Sequence, residues 1–407
     1  MNARCNNLRR LAIVASALFA ALLTSRASAQ TDTTRRDSTS VQGAIYRRPF
    51  IGSAGSTSIG GYMEANANYL VTDGVTDGFS SEMRRFNIFL YAPVGPRLRF
   101  TSELEFEHGT EEIALETALV DYQLSSAFVL RAGILLVPIG GFNQNHDGPR
   151  WEFVERPLSA TEIIPSTLSE VGFGANGRLF LGKSTLTYDA YLTNGLNDGI
   201  ILNRSGKTRL AEGKGGDQLE EDNNGSPAFS TRVAFQNGVL GELGVSYYNG
   251  VYNTHKVEAK KVDVPRSVSI AALDATTRLW HGIDVRGEVA MNRVDLPPSL
   301  GELQASRQWG GFLDVVVPVF RPKLRAHKDA VVSAAVRLEY IDLNTGRFAS
   351  TNTRIYDETR AISLGLSFRP VPGTIFRANY VRQAFRDLFG NASVNTGGFR
   401  MGVATYF

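Results

Sequence analysis

Cysteine is nearly absent from this 407-residue chain, with Cys5 the single one. It precedes an apolar run, Leu11 to Leu23, set between Arg4, Arg9 and Arg10 and the small residues Ala27-Ser28-Ala29. This arrangement predicts a secretory signal peptide over residues 1–29, cleaved before Gln30. The mature chain then holds no cysteine, which excludes disulfide scaffolds and cysteine-ligated metal sites. Cys5 lies ahead of the apolar run, so it is not a lipid-attachment cysteine. Long apolar runs are also missing. Past Gln30 none approaches the length of about 18 residues that a spanning helix needs, which excludes helical membrane architecture. Charge of one sign is missing too. The 43 basic and 40 acidic residues become 39 and 40 when the four leader arginines leave. That near-balance lacks the basic patch of a nucleic-acid binder, so no nucleic acid is expected. Histidine is scarce: His108, His146, His255, His281 and His327 show no H-E-x-x-H or comparable spacing. All five fall in turns or loops of the pattern below and are expected at the surface. No metal, no cofactor and no catalytic residue is expected.

What the chain does contain is alternation. Residues 30–55 are polar and aperiodic and are expected to form a mobile periplasmic arm. From 56 to 407 the pattern has period two, the signature of strands with two different faces. In 97–107, Leu98, Phe100, Leu104 and Phe106 share one face, and Arg99, Glu103, Glu105 and Glu107 share the other. Comparable segments occupy 57–70, 82–92, 112–124, 127–137, 171–181, 184–194, 228–237, 239–249, 266–280, 282–294, 307–320, 329–341, 359–369, 373–383 and 397–407. Two segments are irregular. The apolar parity shifts between Leu119 and Val120, and in 266–280 apolar residues occupy both parities; each is expected to carry a bulge or to be misregistered.

The connections alternate between short turns, such as Pro93-Val94-Gly95-Pro96 and Asn237-Gly238, and long loops, such as 138–170 and 195–227. Short turns on one side and long loops on the other are the anatomy of an outer-membrane barrel. Strands of about 9–11 residues suit a tilted bilayer crossing. A large sheet avoids free edges by closing, and sixteen strands enclose a lumen too wide for wall side chains to fill. The expected fold is all-β: a closed antiparallel transmembrane barrel of about 16 strands, with the long third outer loop, 138–170, folded into the lumen. The terminal strand ends in Phe407, with Phe399, Met401, Val403 and Thr405 on its face. This resembles the signal read by the outer-membrane barrel assembly machinery. Gly172-Phe173-Gly174-Ala175-Asn176-Gly177 satisfies the dinucleotide spacing, but that motif requires a helix to follow, and here another strand follows. Its glycines are expected to make room for a close neighbour.

Several stretches between Gly61 and about Leu196 carry a family likeness. They are Arg97-Leu98-Arg99-Phe100 with Ser102-Glu103-Leu104-Glu105, Val120-Asp121-Tyr122-Gln123, and Leu130-Arg131-Ala132-Gly133 leading to Val137-Pro138-Ile139-Gly140. Glu155-Arg156-Pro157-Leu158, Ile164-Pro165-Ser166 and Val171-Gly172-Phe173-Gly174 follow. In order and spacing this third of the chain resembles the phosphate-selective porin O and P family. The resemblance implies a sixteen-stranded barrel, usually a homotrimer, in the outer membrane of a Gram-negative bacterium. It implies passage of small solutes or inorganic ions, often with a preference for anions. Phosphate-selective members carry a basic cluster on the constriction loop; 138–170 departs from this, having no lysine.

Inward parity marks Arg85, Arg99, Arg131, Arg178, Arg232, Arg286, Arg337, Arg377 and Arg400 as basic pore-lining candidates. It marks Glu64, Glu103, Glu105, Glu107, Glu116, Asp189, Asp284, Glu288, Asp314 and Glu339 as acidic ones. The two sets nearly balance, so they either solvate one another along the wall or polarise the pore. The constriction loop offers His146, Arg150, Glu152, Glu155 and Arg156, with Trp151, Phe153, Leu158, Ile163 and Ile164 as apolar anchors. The expected function is passive diffusion of small hydrophilic solutes or ions, with lipid and lipopolysaccharide around the barrel. Arg131→Ala and Arg156→Ala are each expected to lower anion over cation permeability. Two alternatives stay open. One is a barrel enzyme of lipid-hydrolase type, which needs a histidine near a serine on the rim. The other is a closed structural or adhesive barrel, which needs 138–170 and 195–227 to plug the interior.

Overall fold

The computed structural model describes residues 40–49, 52–54, 56–215, 219, 221–222, 224–258 and 260–407. The signal peptide expected over 1–29, and the arm as far as residue 39, lie outside them. Eight strands form the first half of the barrel: β1 (Thr57–Thr72), β2 (Phe79–Pro93), β3 (Leu98–Glu107), β4 (Glu112–Gln123), β5 (Val129–Leu136), β6 (Ser169–Leu181), β7 (Ser184–Thr193) and β8 (Ala228–Asn237). The second half is β9 (Gly241–Val251), β10 (Ser267–Arg278), β11 (Asp284–Val294), β12 (Arg307–Phe320), β13 (Val331–Asp342), β14 (Glu358–Arg369), β15 (Thr374–Arg386) and β16 (Val394–Tyr406). Every neighbouring pair is antiparallel, and β16 closes on β1 from Thr396↔Thr72 to Tyr406↔Tyr62. Among the described residues no helix is long and apolar enough to cross a membrane.

The faces follow the alternation. Along β9, Leu243, Val245 and Tyr247 are exposed on the outside while Glu242, Ser246 and Tyr248 are buried inside. The outer face of β14 carries Ile362, Leu364 and Leu366, and that of β16 carries Phe399 and Met401. An apolar band facing outwards all around the wall is what lipid selects.

Both irregular segments have a physical cause. In β4 a bulge falls opposite Glu103/Leu104, where Glu103 pairs with Thr117 and Leu104 with Leu115. Glu116 is left unpaired, and Glu116 and Thr117 both turn inwards. The shift therefore precedes the Leu119/Val120 step. β10 has no bulge: it pairs regularly with β9 and β11. Its inner residues Val268, Ile270 and Ala272 are apolar because an apolar core fills that part of the lumen. Another bulge, absent from the sequence reading, opposes Glu64/Ala65 to Arg85/Met83 on β2 and turns Arg84 inwards beside Arg85.

The lumen is the core of this protein. Val137, Ile139, Ile163, Ile164 and Leu168 of the third outer loop meet Leu196, Ile200, Ile201 and Leu210 of the fourth. The inner faces of β9, β10, β11 and β13 complete the cluster. The arm expected over 30–55 also differs. Residues 40–48 lie inside the barrel, where the Val41 N–H donates to Glu242 Oε2 (2.9 Å) and Gln42 Nε2 donates to the Tyr188 carbonyl (2.8 Å). Tyr46 donates to Asp121 and accepts from Arg131, and Arg48 stacks on Phe89 at 4.0 Å. The polar composition that suggested a solvated arm is matched here by polar wall groups.

Candidate pore constriction

The third outer loop, 137–168, has only short helical turns, at Gly140–Asn143, Gly148–Arg150 and Leu158–Glu162, so most of its peptide groups need partners from outside. A buried backbone group without a partner is costly, and the wall supplies them. Arg377 Nη1 donates to the carbonyls of Gly148, Trp151 and Phe153 (3.2, 2.9 and 2.7 Å). Arg337 donates to the Glu155 carbonyl (2.8 Å) and Arg286 to that of Arg150 (2.9 Å). Wall acceptors take the N–H groups. Glu288 Oε2 accepts from Gly141 and Phe142 (2.7 and 3.1 Å), Glu339 from Leu158 (2.8 Å) and Asn379 from Val154 (2.8 Å). The loop rings lie under wall guanidiniums, with Phe153 at 4.4 Å from Arg337 and Trp151 at 5.1 Å from Arg286. Gly148 is needed for this approach, since a Cβ there would stand 2.6 Å from Glu64 Oε2.

These contacts divide the inward charges. Arg131 is bound by Asp121 (2.8 and 3.0 Å). Arg232 is bound by Glu242 and Asp274, Arg377 by Glu64 and the loop carbonyls, and Arg178 by Gln42 (3.1 Å). Arg99 lies 5.5 Å from the Tyr46 ring, and Arg286 and Glu288 hold the loop. Glu103 and Glu105 accept from Asn87 (2.7 and 3.2 Å). For this set wall partners, loop and arm cover the charges, so they do not line open water.

Between the loop and β13–β16 and β2 remains a cavity of about 350 Å³. Its charged lining is Arg84, Arg85, Arg156, Arg337 and Arg400 against Glu155 and Glu339. Glu155 lies between Arg84 (3.7 Å) and Arg400 (3.9 Å). Arg156 makes one long bond, to Thr167 Oγ1 at 3.4 Å. Lys214 of the fourth loop donates to the Thr167 carbonyl (3.0 Å); burial and Arg156 push its amine down. Parity missed Arg84, although a charge at a lipid-facing position was the available sign of a bulge.

The other loop candidates face the wall. Glu152 pairs with Arg369 (2.8 Å). Arg150 donates to Tyr406 Oη (2.7 Å) and the Ala44 carbonyl (2.8 Å). Asp147 binds Arg48 (2.7 Å); burial favours its neutral form, but Arg48 and Arg150 hold its carboxyl well below the usual range. His146 and His255 are buried, contrary to the surface expectation, because their loops turn into and across the lumen. The side-chain partners of His108 and His146 are carboxylates, Glu82 and Glu116, rather than serines. Tyr46→Phe is expected to weaken docking of residues 40–48 by about 1.5–3 kcal/mol, the worth of a hydrogen bond to a charged group. Faster backbone hydrogen exchange confined to that stretch would show it.

No model of a known protein family matches the chain. An uncharacterised protein of Aquifex aeolicus is 28% identical over 360 residues, covering 81% of this chain and 76% of that protein. Among solved structures, the anion-selective porin from Comamonas acidovorans superimposes with a TM-score of 0.54 at 12% identity, covering 86% of this chain and 99% of the porin. The trimer form of the Vibrio cholerae outer-membrane protein OmpT gives 0.51 at 10%, covering 86% and 100%. By fold the chain is an outer-membrane-type β-barrel with the architecture of the porins.

Proposed function

We propose that this protein is a porin of the bacterial outer membrane, a passive channel for small hydrophilic solutes and ions with a bias towards anions. The observation that carries the reading is the charged cavity left between the third loop and the wall, where Arg84, Arg85 and Arg337 are paired to Glu82, Glu64 and Asp314 while Arg156 has no carboxylate partner among the described residues. Preorganised cations lining a constriction favour anions by Coulomb attraction across a short distance. A homotrimer is proposed with it, on the likeness to a barrel solved in trimer form. No cofactor is needed, since a gradient drives the flux.

Purified protein in planar bilayers is expected to give stepwise conductance, with a reversal potential in a salt gradient on the anion side. Steps with a cation-side potential would overturn the anion bias. A second reading, a closed structural barrel, is favoured by the shared apolar core of the third and fourth loops. Absence of both conductance steps and solute-driven liposome swelling would decide for it.

A further inference from the structure

Where the third loop meets β3 and β4, three donor groups converge outside the cavity. One ligand atom each of His146, Glu116 and Glu103 lie within 4.8 Å of one another, and all three residues are buried. The β4 bulge creates the cluster by turning Glu116 inwards. Ring chemistry then constrains it. His146 Nδ1 lies 2.9 Å from the Asn143 carbonyl, which only accepts, so Nδ1 carries a proton. Nε2 faces Glu116 Oε2 at 3.0 Å. A bare lone pair there would repel the carboxylate, so Nε2 carries either a proton or a metal ion.

The surroundings resemble the outer shell of a metal site, in which a ligating imidazole donates its other N–H to a carbonyl and ligating carboxylates are themselves hydrogen-bonded. Thr167 Oγ1 donates to Glu116 Oε1. Asn87 Nδ2 donates to Glu103 Oε1 (2.7 Å) and Glu105 Oε1 (3.2 Å). The Tyr62 hydroxyl, on a fully buried side chain, has no hydrogen-bond partner among the described residues. Arg48 stands 2.7 Å from Glu103 Oε2 but is shared with Asp147. Arg85 reaches Glu105 (3.4 Å) but is shared with Glu64 and Glu107. Neither arginine is dedicated to the three carboxylates.

We propose that His146 Nε2, Glu116 and Glu103 bind one divalent first-row cation of the zinc type, which pins the third loop to the wall. One imidazole and two carboxylates suit zinc. Tetrahedral bonds of about 2.0–2.2 Å set ligand atoms about 3.3 Å apart, so the present contact needs only a small adjustment. None of the three ligands lines the cavity, although Thr167 joins Glu116 to Arg156 there, and the site stands whether or not the barrel conducts.

The test uses the full folded barrel in detergent, stripped with chelator, equilibrated with Zn²⁺, desalted and assayed for metal by mass spectrometry. His108→Gln, which removes an exposed rim imidazole, serves as the background. About one zinc per barrel is expected, and loss of it in Glu116→Gln and His146→Gln, with folding checked by heat-modifiable gel migration. Thr167→Val leaves the ligands in place and is expected to weaken zinc binding about 10–100-fold, with recovery in Thr167→Ser. A stripped barrel that retains no zinc overturns the site, as does zinc retention unchanged in Glu116→Gln and Thr167→Val.

Discussion

Arg156→Glu is expected to turn an anion-preferring channel towards cations. Arg156 is the loop's own cation at the cavity, and its single long bond to Thr167 leaves most of its charge unmatched. The substitution moves the lining by two unit charges. At about 6 Å through water each unit charge shifts an anion and a cation by about 0.7 kcal/mol in opposite directions, so before screening the permeability ratio should move about a hundredfold. Salt screens charges over about 8–10 Å at ordinary ionic strength, so the shift should shrink as salt rises. Arg131→Ala, which parity alone makes a second selectivity variant, is now expected to leave the reversal potential unchanged, because Asp121 and Tyr46 enclose that guanidinium. Equal shifts in the two variants would mean that solutes pass on the arm side of the lumen.

Arg232→Met is expected to give the largest loss of stability. The guanidinium is fully buried, binds Glu242 at 2.8 Å and grips Asp274 through Nε and Nη2. Gly244 makes the space, since a Cβ there would stand 2.3 Å from Arg232 Nη2. Removing one partner strands two buried carboxylates, and breaking a buried ion pair in this way costs about 3–5 kcal/mol. Denaturant unfolding of the lipid-inserted barrel would measure it. The triple variant Arg232→Met, Glu242→Gln, Asp274→Asn removes every charge of the set and should recover most of the loss. A single variant within 1 kcal/mol of the parent would mean that water reaches the site.

The strands were legible because lipid outside and polar partners inside impose opposite demands on alternate residues. The predicted 307–320 and 228–237 match β12 and β8 residue for residue, and other strand ends move by a few residues. Bulges were less visible. That at Glu116 left a parity fault a few residues away, whereas that at Arg84 left only a charge on the wrong face. The site was half legible: 138–170 carried the anchors and both Arg156 and Glu155, but nothing local distinguished Arg156, which meets the cavity, from Arg150, which is bound to Tyr406.

By itself the sequence determined the barrel, its strand number and the inward direction of its charges, since each depends on period-two spacing and loop length. Only the tertiary structure decided what those charges do. Arg286, Arg337, Arg377, Glu288 and Glu339 bind the peptide groups of a loop that lacks partners of its own, across more than a hundred positions of sequence, and others, such as Arg131 and Arg232, bind wall carboxylates. The same long-range packing leaves a few arginines facing open space and brings His146 against Glu116, neither of which any local pattern encodes.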